Sequence, residues 1–371
     1  MPHLLVALSA HGYGHGAQAA AVVNALGSRV ADLRVTLRTT LPVEFLRRRF
    51  AGEFQLIAED TDVGMLMRSA VEIDHEPTAR AYAAFHRDWE TRVEREAQTL
   101  QGLSPDLVLA NVPYLPLAGA ARAGIAAVAM CSLNWADVFR HYYRGHPQAE
   151  GILRQIHSAY CEARLVLRLE PGMPMAELPN AVTIGPVATI GRNRRAEIAQ
   201  RLNLGAQTRL VMIAPGGIEL RLPVEHWPAA AQVHWLVPRS WGVRRTGFSD
   251  MEALTMPFTD VLCSCDALIG KPGYGTFAEA GCNAVPVLYL PRTDWPESPY
   301  LVAWLERHGR AGAIDRAALE RGDLLDALRA LWARPAPPAP PPTGIEAAAR
   351  RLAEMLGGDG GAASSIPASR Q

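Results

Sequence analysis

The 371-residue chain has no net charge: thirty-seven basic residues balance thirty-seven acidic ones, so no global field draws it to nucleic acid or to an anionic membrane. It also lacks long hydrophobic runs. Its apolar stretches are broken by Gly, Pro or charge well short of the roughly 18 residues that a bilayer span needs. Cysteine is scarce: Cys131, Cys161, Cys263, Cys265 and Cys282 form an odd, scattered set, which argues against a disulfide framework and suits reduced thiols in a cytoplasmic protein. Cys263-Ser-Cys265 alternates with the period of a strand and has no second cluster to complete a metal site, so packed thiols are expected. No basic patch interleaved with aromatics supports nucleic-acid binding. The opening "MPHLLVALSAHGYGHG" has no basic leader segment and reads as a first strand.

What the chain does have is alternation of short apolar runs with Ala-rich helical patterns. "HLLVALSA", "LRVTLRTT", "DLVLANV" and "AAVAMC" read as strands; "AQAAAVVNALGSRV", "PVEFLRRRF" and "ARAYAAFHRDWETRVEREAQTLQGL" read as helices. This predicts an α/β fold with a mostly parallel sheet. A second series starts near residue 209 with "RLVMIAPGG", "AQVHWLVP", "DALIG" and "AVPVLYLP" as strands, and "GTFAEAG" and "PYLVAWLERHG" as helices. Between the series, "LRLEPGMPMAELPNAVTIGPVATIGRNRRAEIAQRLNL" has the Pro/Gly content of a hinge followed by a helix. The expected organisation is an α/β domain over 1–189, a second over 190–333, a Pro-rich segment with a terminal helix over 334–357, and a disordered tail over 358–371.

Both series carry a glycine-rich turn between a strand and a helix, where open α/β sheets bind ligands. In "ALSAHGYGHGAQAA", Gly12, Gly14 and Gly16 let backbone approach a ligand. The turn matches neither the dinucleotide fingerprint nor the Walker pattern. His15, at the turn-to-helix junction, suits proton removal from a hydroxyl near neutrality, or else tethers the loop; His11 is a second candidate. In "DALIGKPGYGTFAEAG", Thr276 and Glu279 have the spacing of a capping box, with Thr276 beginning the helix. The long permissive turn before them equally suits a diphosphate on the amides of Gly275, Thr276 and Phe277, with Lys271 assisting and Glu279 accepting from a ribose diol. Gly216 and Gly217 offer a second close approach. Asp294 and Glu297, in "LPRTDWPESPY", suit sugar hydroxyls or are solvated loop charges.

At these two turns the chain resembles the GT-B nucleotide-sugar glycosyltransferases, whose fold is two Rossmann-like α/β domains facing across a cleft. "HGYGHGAQAAAVVNAL" and "DALIGKPGYGTFAEAGCNAVPVLYLPRTDWPESPYLVAWL" are similar to the enzyme that adds N-acetylglucosamine to lipid-linked muramyl-pentapeptide and to the glycosyltransferase-like N-terminal region of arabinose kinases. No sugar-kinase domain is expected within this chain. The resemblance implies that His15 is the base beside the acceptor hydroxyl, with His11, Gly14 and Asn111 on the acceptor side. It also implies that Gly216, Gly217, Gly275, Thr276 and Glu279 bind the donor nucleotide, and that Asp294 and Glu297 lie at the donor sugar. Some members orient the histidine with an aspartate after an N-domain strand; "DLVLANV" offers Asn111 instead.

The expected activity is inverting transfer of a sugar from a nucleotide-diphosphate donor such as a UDP-sugar to an acceptor hydroxyl, with no metal and no cofactor beyond the donor as co-substrate. Asp60-Thr61-Asp62 has the letters of a metal-chelating motif from another transferase fold, but the two glycine turns favour the metal-independent scheme. The partners expected are the donor and a small-molecule or lipid-linked acceptor, with "FLRRRF" at 45–50 as a peripheral membrane contact or a solvated face. The competing readings are a nucleotide-sugar epimerase or hydrolase, and a non-catalytic nucleotide-sugar-binding protein.

Overall fold

The first apolar run forms β1 (His3–Leu8), with all six residues buried. A strand buried on both faces needs helices on both sides, and that is the layering found. Around β1 the computed structural model, which describes residues 1–68, 72–216 and 221–357, arranges β2 (Arg34–Arg38), β3 (Gln55–Ile57), β4 (Leu107–Asn111), β5 (Ala127–Cys131), β6 (Leu165–Leu169) and β7 (Ala181–Ile184). All pair in parallel, in the order β3-β2-β1-β4-β5-β6-β7. The second sheet comprises β8 (Arg209–Ala214), β9 (Val233–Val237), β10 (Phe248–Asp250), β11 (Ala267–Gly270), β12 (Val287–Tyr289) and β13 (Ala311–Ala313), in the order β10-β9-β8-β11-β12-β13 and again all parallel. Each sheet is thus a doubly wound, Rossmann-like unit.

In such sheets the strand order reverses at one place, and the crevice beyond the carboxyl ends there is the natural ligand site. The reversal falls between β1 and β4 in the first sheet, where Leu8 pairs with Asn111. In the second it falls between β8 and β11, where Ala214 pairs with Gly270. Both glycine-rich turns therefore leave their sheets at the reversal points.

The two units are fastened together in several ways. The helix Gly344–Met355 buries Ala348, Ala349, Leu352 and Ala353. It belongs to the same apolar core as Ala19, Val22 and Leu26 of the opening helix Tyr13–Gly27 and Phe277 of the helix Tyr274–Cys282. Its first residue must be glycine, because a Cβ on Gly344 would stand 2.1 Å from the carbonyl oxygen of Gly185. Arg29, two residues beyond the opening helix, pairs with Glu346. On the other face, Trp295 from the loop after β12 enters the core of the first unit, and Tyr142 donates its hydroxyl to the Asp294 carbonyl. Tyr274 closes the join: its hydroxyl accepts from the Val187 amide at 2.9 Å and donates to the Glu170 carbonyl at 3.2 Å.

Several local expectations are corrected. The segment read as a hinge from residue 167 contains the end of β6 and all of β7, because its apolar residues complete the sheet edge despite the prolines. The helical pattern of 79–103 breaks into His75–His86 and Trp89–Leu103. The opening helix starts at Tyr13 rather than Ala17, which brings His15 into its first turn. Cys263 ends the helix Phe258–Cys263 instead of lying on a strand. The stretch 358–371 lies outside the described residues.

Candidate active site

His15 is the third residue of the opening helix, and it projects where β1 and β4 part. It is 8% exposed, and its Nδ1 meets Asn111 Oδ1 at 3.0 Å. Asn111 Nδ2 in turn donates to Gln18 Oε1 at 2.9 Å. The direction of this chain fixes the imidazole tautomer. With its amide donor committed to Gln18, Asn111 can only accept from His15, so the proton sits on Nδ1 and Nε2 carries the lone pair. Burial pulls the His15 pKa down to about 4, against a smaller lift from the Asn111 hydrogen bond. The ring is a neutral base throughout the physiological range. Gly14, one position earlier, is exposed, with open space where a side chain would be.

His11 lies in an aromatic slot. Its ring stacks on Trp295 at 5.5 Å and meets Trp135 edge-on at 5.4 Å. Trp135 Nε1 donates to Asp62 Oδ2 at 2.6 Å, and burial raises the Asp62 pKa to about 6. Burial lowers His11 to about 3, with further lowering from the charges of His15, Arg292 and Lys271. These side chains, drawn from both units, therefore share one electrostatic neighbourhood. Glu297 is buried; its Oε2 accepts from the Trp295 indole at 3.2 Å, and its Oε1 is buried without a hydrogen-bond partner. Asp294 is partly buried, and its carbonyl receives Tyr142.

Across the cleft, the second glycine-rich turn differs from a capping box. The helix runs Tyr274–Cys282 with Gly273 at its N-cap and no side-chain cap hydrogen bond. Thr276 is therefore the third helical residue and Glu279 the sixth. The physical reason is the anchoring of Tyr274 at the inter-unit join, which draws the helix start back to Gly273. Phe277 donates its amide to the Gly273 carbonyl and is unavailable to a ligand; the amides of Tyr274, Gly275 and Thr276 are the ones left without helical partners. Glu279 instead lines a narrow space of about 90 Å³ between the units, together with Gln18, Asn24, Arg49, Thr189 and Gly275. Burial raises its pKa to about 7, opposed by the charge of Arg49.

Gly216 follows β8 with φ +86°, a conformation glycine adopts without strain. A Cβ there would lie 3.4 Å from Lys271 Cε, so the two turns of this unit touch. Gly217 lies outside the described residues. Lys271 is the single lysine of the chain; the other thirty-six basic residues are arginine. Burial, reinforced by the charge of Arg292, lowers its pKa to about 8.

Among the described residues, no group of three or more His, Cys, Asp or Glu is arranged to hold a metal ion. Asp60 accepts from Thr40, and Asp62 from Trp135. Sequence reasoning missed Gln18, Trp135, Arg49, Tyr142 and Arg292. Gln18 had a readable signal: three residues beyond His15 on a helix, it shares the same face. The others come together only through tertiary contact.

No family model matches the chain. Among curated proteins, L-arabinokinase of Arabidopsis thaliana is 24% identical over 328 residues, 82% of this chain and 30% of that protein. The chain thus spans less than a third of the length of this relative. Among solved structures, the glycotransferase of kitacinnamycin and the calicheamicin glycosyltransferase CalG4 each superpose with TM-score 0.61 at 16% identity, covering 96% of this chain and 94% of theirs. Arabidopsis thaliana UGT89C1 superposes with TM-score 0.60 at 14% identity, covering 96% and 99%. The fold is GT-B. The His15–Asn111–Gln18 chain occupies the switch point of the first GT-B unit, and the Gly216 and Lys271–Thr276 turns occupy that of the second. Among the described residues, no helix is long and apolar enough to cross a membrane.

Proposed function

We propose that this chain is an inverting glycosyltransferase, acting from a nucleotide-diphosphate sugar such as a UDP-sugar onto an acceptor hydroxyl. The observation that carries this reading is the tautomer-fixed, neutral His15 at one switch point, opposed by free helix amides at the other. His15 Nε2 takes the hydroxyl proton of the acceptor. The acceptor oxygen forms a bond to the anomeric carbon as the bond from that carbon to the diphosphate breaks, and the leaving group keeps the electron pair. A single displacement inverts the anomeric centre. The amides of Tyr274, Gly275 and Thr276, the helix dipole, the backbone at Gly216 and Lys271 stabilise the departing diphosphate, so backbone dipoles do the work a metal does elsewhere. Glu279 accepts from the ribose diol, and Asp294 and Glu297 border the sugar. Gly14 leaves room for the acceptor beside His11.

The odd, scattered set of cysteines suits a cytoplasmic protein. The acceptor is a small molecule or a lipid-linked one. For a lipid-linked acceptor, the helix Val43–Arg49 with its exposed Arg47 and Arg48 is the surface that would approach a headgroup. Residues 1–189 would carry the acceptor side and 190–333 the donor side.

The test is release of nucleoside diphosphate from a panel of donors with and without candidate acceptors. Release that depends on acceptor supports transfer; release without acceptor, with hydrolysed or epimerised sugar, defeats it. His15→Ala should cut the transfer rate by about 10²–10⁴-fold and leave donor binding intact. An unchanged rate would remove His15 from the chemistry.

A further inference from the structure

His11 is the second histidine of the first glycine-rich turn, and the proposed chemistry gives its ring no role. That ring is fixed from both units. Trp295 of the second unit stacks on it at 5.5 Å with the planes 10° apart, and Trp135 of the first meets it at 5.4 Å and 87°. Each indole is itself held by a carboxylate: Trp135 Nε1 donates to Asp62 at 2.6 Å, and Trp295 Nε1 to Glu297 at 3.2 Å. Two anchored rings at right angles leave the imidazole little freedom to turn.

The two nitrogens of this ring have different surroundings. Backbone closes the Nδ1 side: the Met65 amide donates to Nδ1 at 3.4 Å, and a Cβ on Gly64, which has φ +63°, would stand 3.4 Å from the same atom. In a neutral imidazole the nitrogen that accepts a hydrogen bond carries no proton, so the proton of His11 sits on Nε2. Burial keeps the ring neutral at physiological pH, with its pKa down at about 3. Among the described residues Nε2 has no hydrogen-bond partner and is not enclosed by protein, so its N–H faces open space at the join of the units. This tautomer is the opposite of that of His15, where Nδ1 carries the proton and Nε2 the lone pair. One turn thus presents a proton acceptor and a hydrogen-bond donor, four residues apart.

We propose that His11 Nε2–H is a substrate-binding donor, which takes a lone pair from an oxygen beside the reacting centre. A donor on the attacking oxygen itself would hold back the lone pair that forms the new bond, so the oxygen taken is a neighbouring one. The ligand class is a sugar or another polyoxygenated molecule, and the oxygen belongs either to the donor sugar or to the acceptor. The inference rests on the transferase reading for the reaction, but the tautomer and the open N–H follow from the contacts of the ring itself. Because Trp295 comes from the second unit, the ring is fixed only while the units are joined.

Long-range ¹H–¹⁵N spectra of the full chain carrying ¹⁵N-histidine read both tautomers, with His11→Gln and His15→Gln identifying the two rings. His11 should be protonated on Nε2 and His15 on Nδ1. The spectrum is then followed on adding UDP, dTDP, UDP-glucose, UDP-N-acetylglucosamine, dTDP-glucose and methyl glucoside. A His11 Nε2 resonance moved by a nucleotide sugar but not by its nucleoside diphosphate assigns the oxygen to the donor sugar; one moved by methyl glucoside alone assigns it to the acceptor. His11→Phe keeps a ring for the two indoles but has no donor, and should bind the responsive ligand about tenfold or more weakly. His11→Gln, whose amide nitrogen reaches about as far as Nε2, should recover part of that affinity. A purely structural role for the ring gives the reverse order, with His11→Phe the better binder. That order, a proton on His11 Nδ1, or a resonance that none of these ligands moves overturns the inference. A nucleotide sugar that binds by calorimetry and leaves the resonance in place would sink this inference and leave the transferase reading standing. Methyl glucoside held through His11 with no nucleotide sugar bound would do the reverse.

Discussion

His15 has three determinants, and each can be altered separately. Its helix position sets where the ring stands, burial sets its pKa near 4, and the Asn111–Gln18 chain sets its tautomer. A histidine with a depressed pKa stays deprotonated to lower pH, so the acid limb of kcat/KM attributable to His15 should appear near pH 4 instead of near 6.5. Asn111→Asp places a carboxylate against Nδ1, which favours the imidazolium and moves that limb to higher pH. Gln18→Met leaves the Asn111 amide free to rotate and present its donor to Nδ1. The proton then moves to Nε2 and kcat falls. Wild-type and Asn111→Asp profiles with the same acid limb would contradict the electrostatic assignment. Part of this was legible: His15 was named from a glycine turn, and Asn111 from a resemblance in which the comparable strand end carries an aspartate. The hydrogen-bond direction was not, because it depends on Gln18 being buried against Asn111.

At the scale of elements, the strand and helix types followed from apolar period and glycine punctuation, and the errors cluster where a tertiary anchor moved a boundary. Thr276 and Glu279 satisfied every local rule for a capping box, yet Tyr274 is held by Val187 and Glu170 and starts the helix earlier. Strand β7 went unread because "NAVTIG" is short and lies among prolines and charges. Close packing of elements also predicts where substitutions fail. The helix Trp89–Leu103 crosses Leu115–Ala123 at Gly119, where a Cβ would stand 2.2 Å from Glu96 Cγ and 2.8 Å from its Cβ. Glu96 is 2% exposed at its side chain and pairs with Arg38, 3% exposed, at 2.5 Å. Gly119→Ala must displace Glu96 and break this pair, and breaking a buried ion pair costs about 3–5 kcal/mol. Urea unfolding should show a midpoint lowered accordingly; an unchanged midpoint would mean that the helices separate at little cost.

At the scale of the whole molecule, two doubly wound units are joined so that their switch points face one another. The opening helix is the common part: it carries His15, packs on the C-terminal helix, and walls the space that Glu279 enters. A sequence of two α/β series predicts two such units. It does not predict that Trp295 of one enters the core of the other, because that contact links residues far apart in the chain. The central claim is that the second switch point binds a nucleoside diphosphate, with Glu279 on the ribose. Calorimetric titration of UDP, dTDP, GDP and ADP into the wild-type chain and into Glu279→Ala tests it most directly. The account predicts that at least one nucleotide binds the wild type and that the variant binds it about tenfold or more weakly, as loss of hydrogen bonds to a charged group implies. Equal affinity in the two proteins, or no binding of any nucleoside diphosphate, would contradict it.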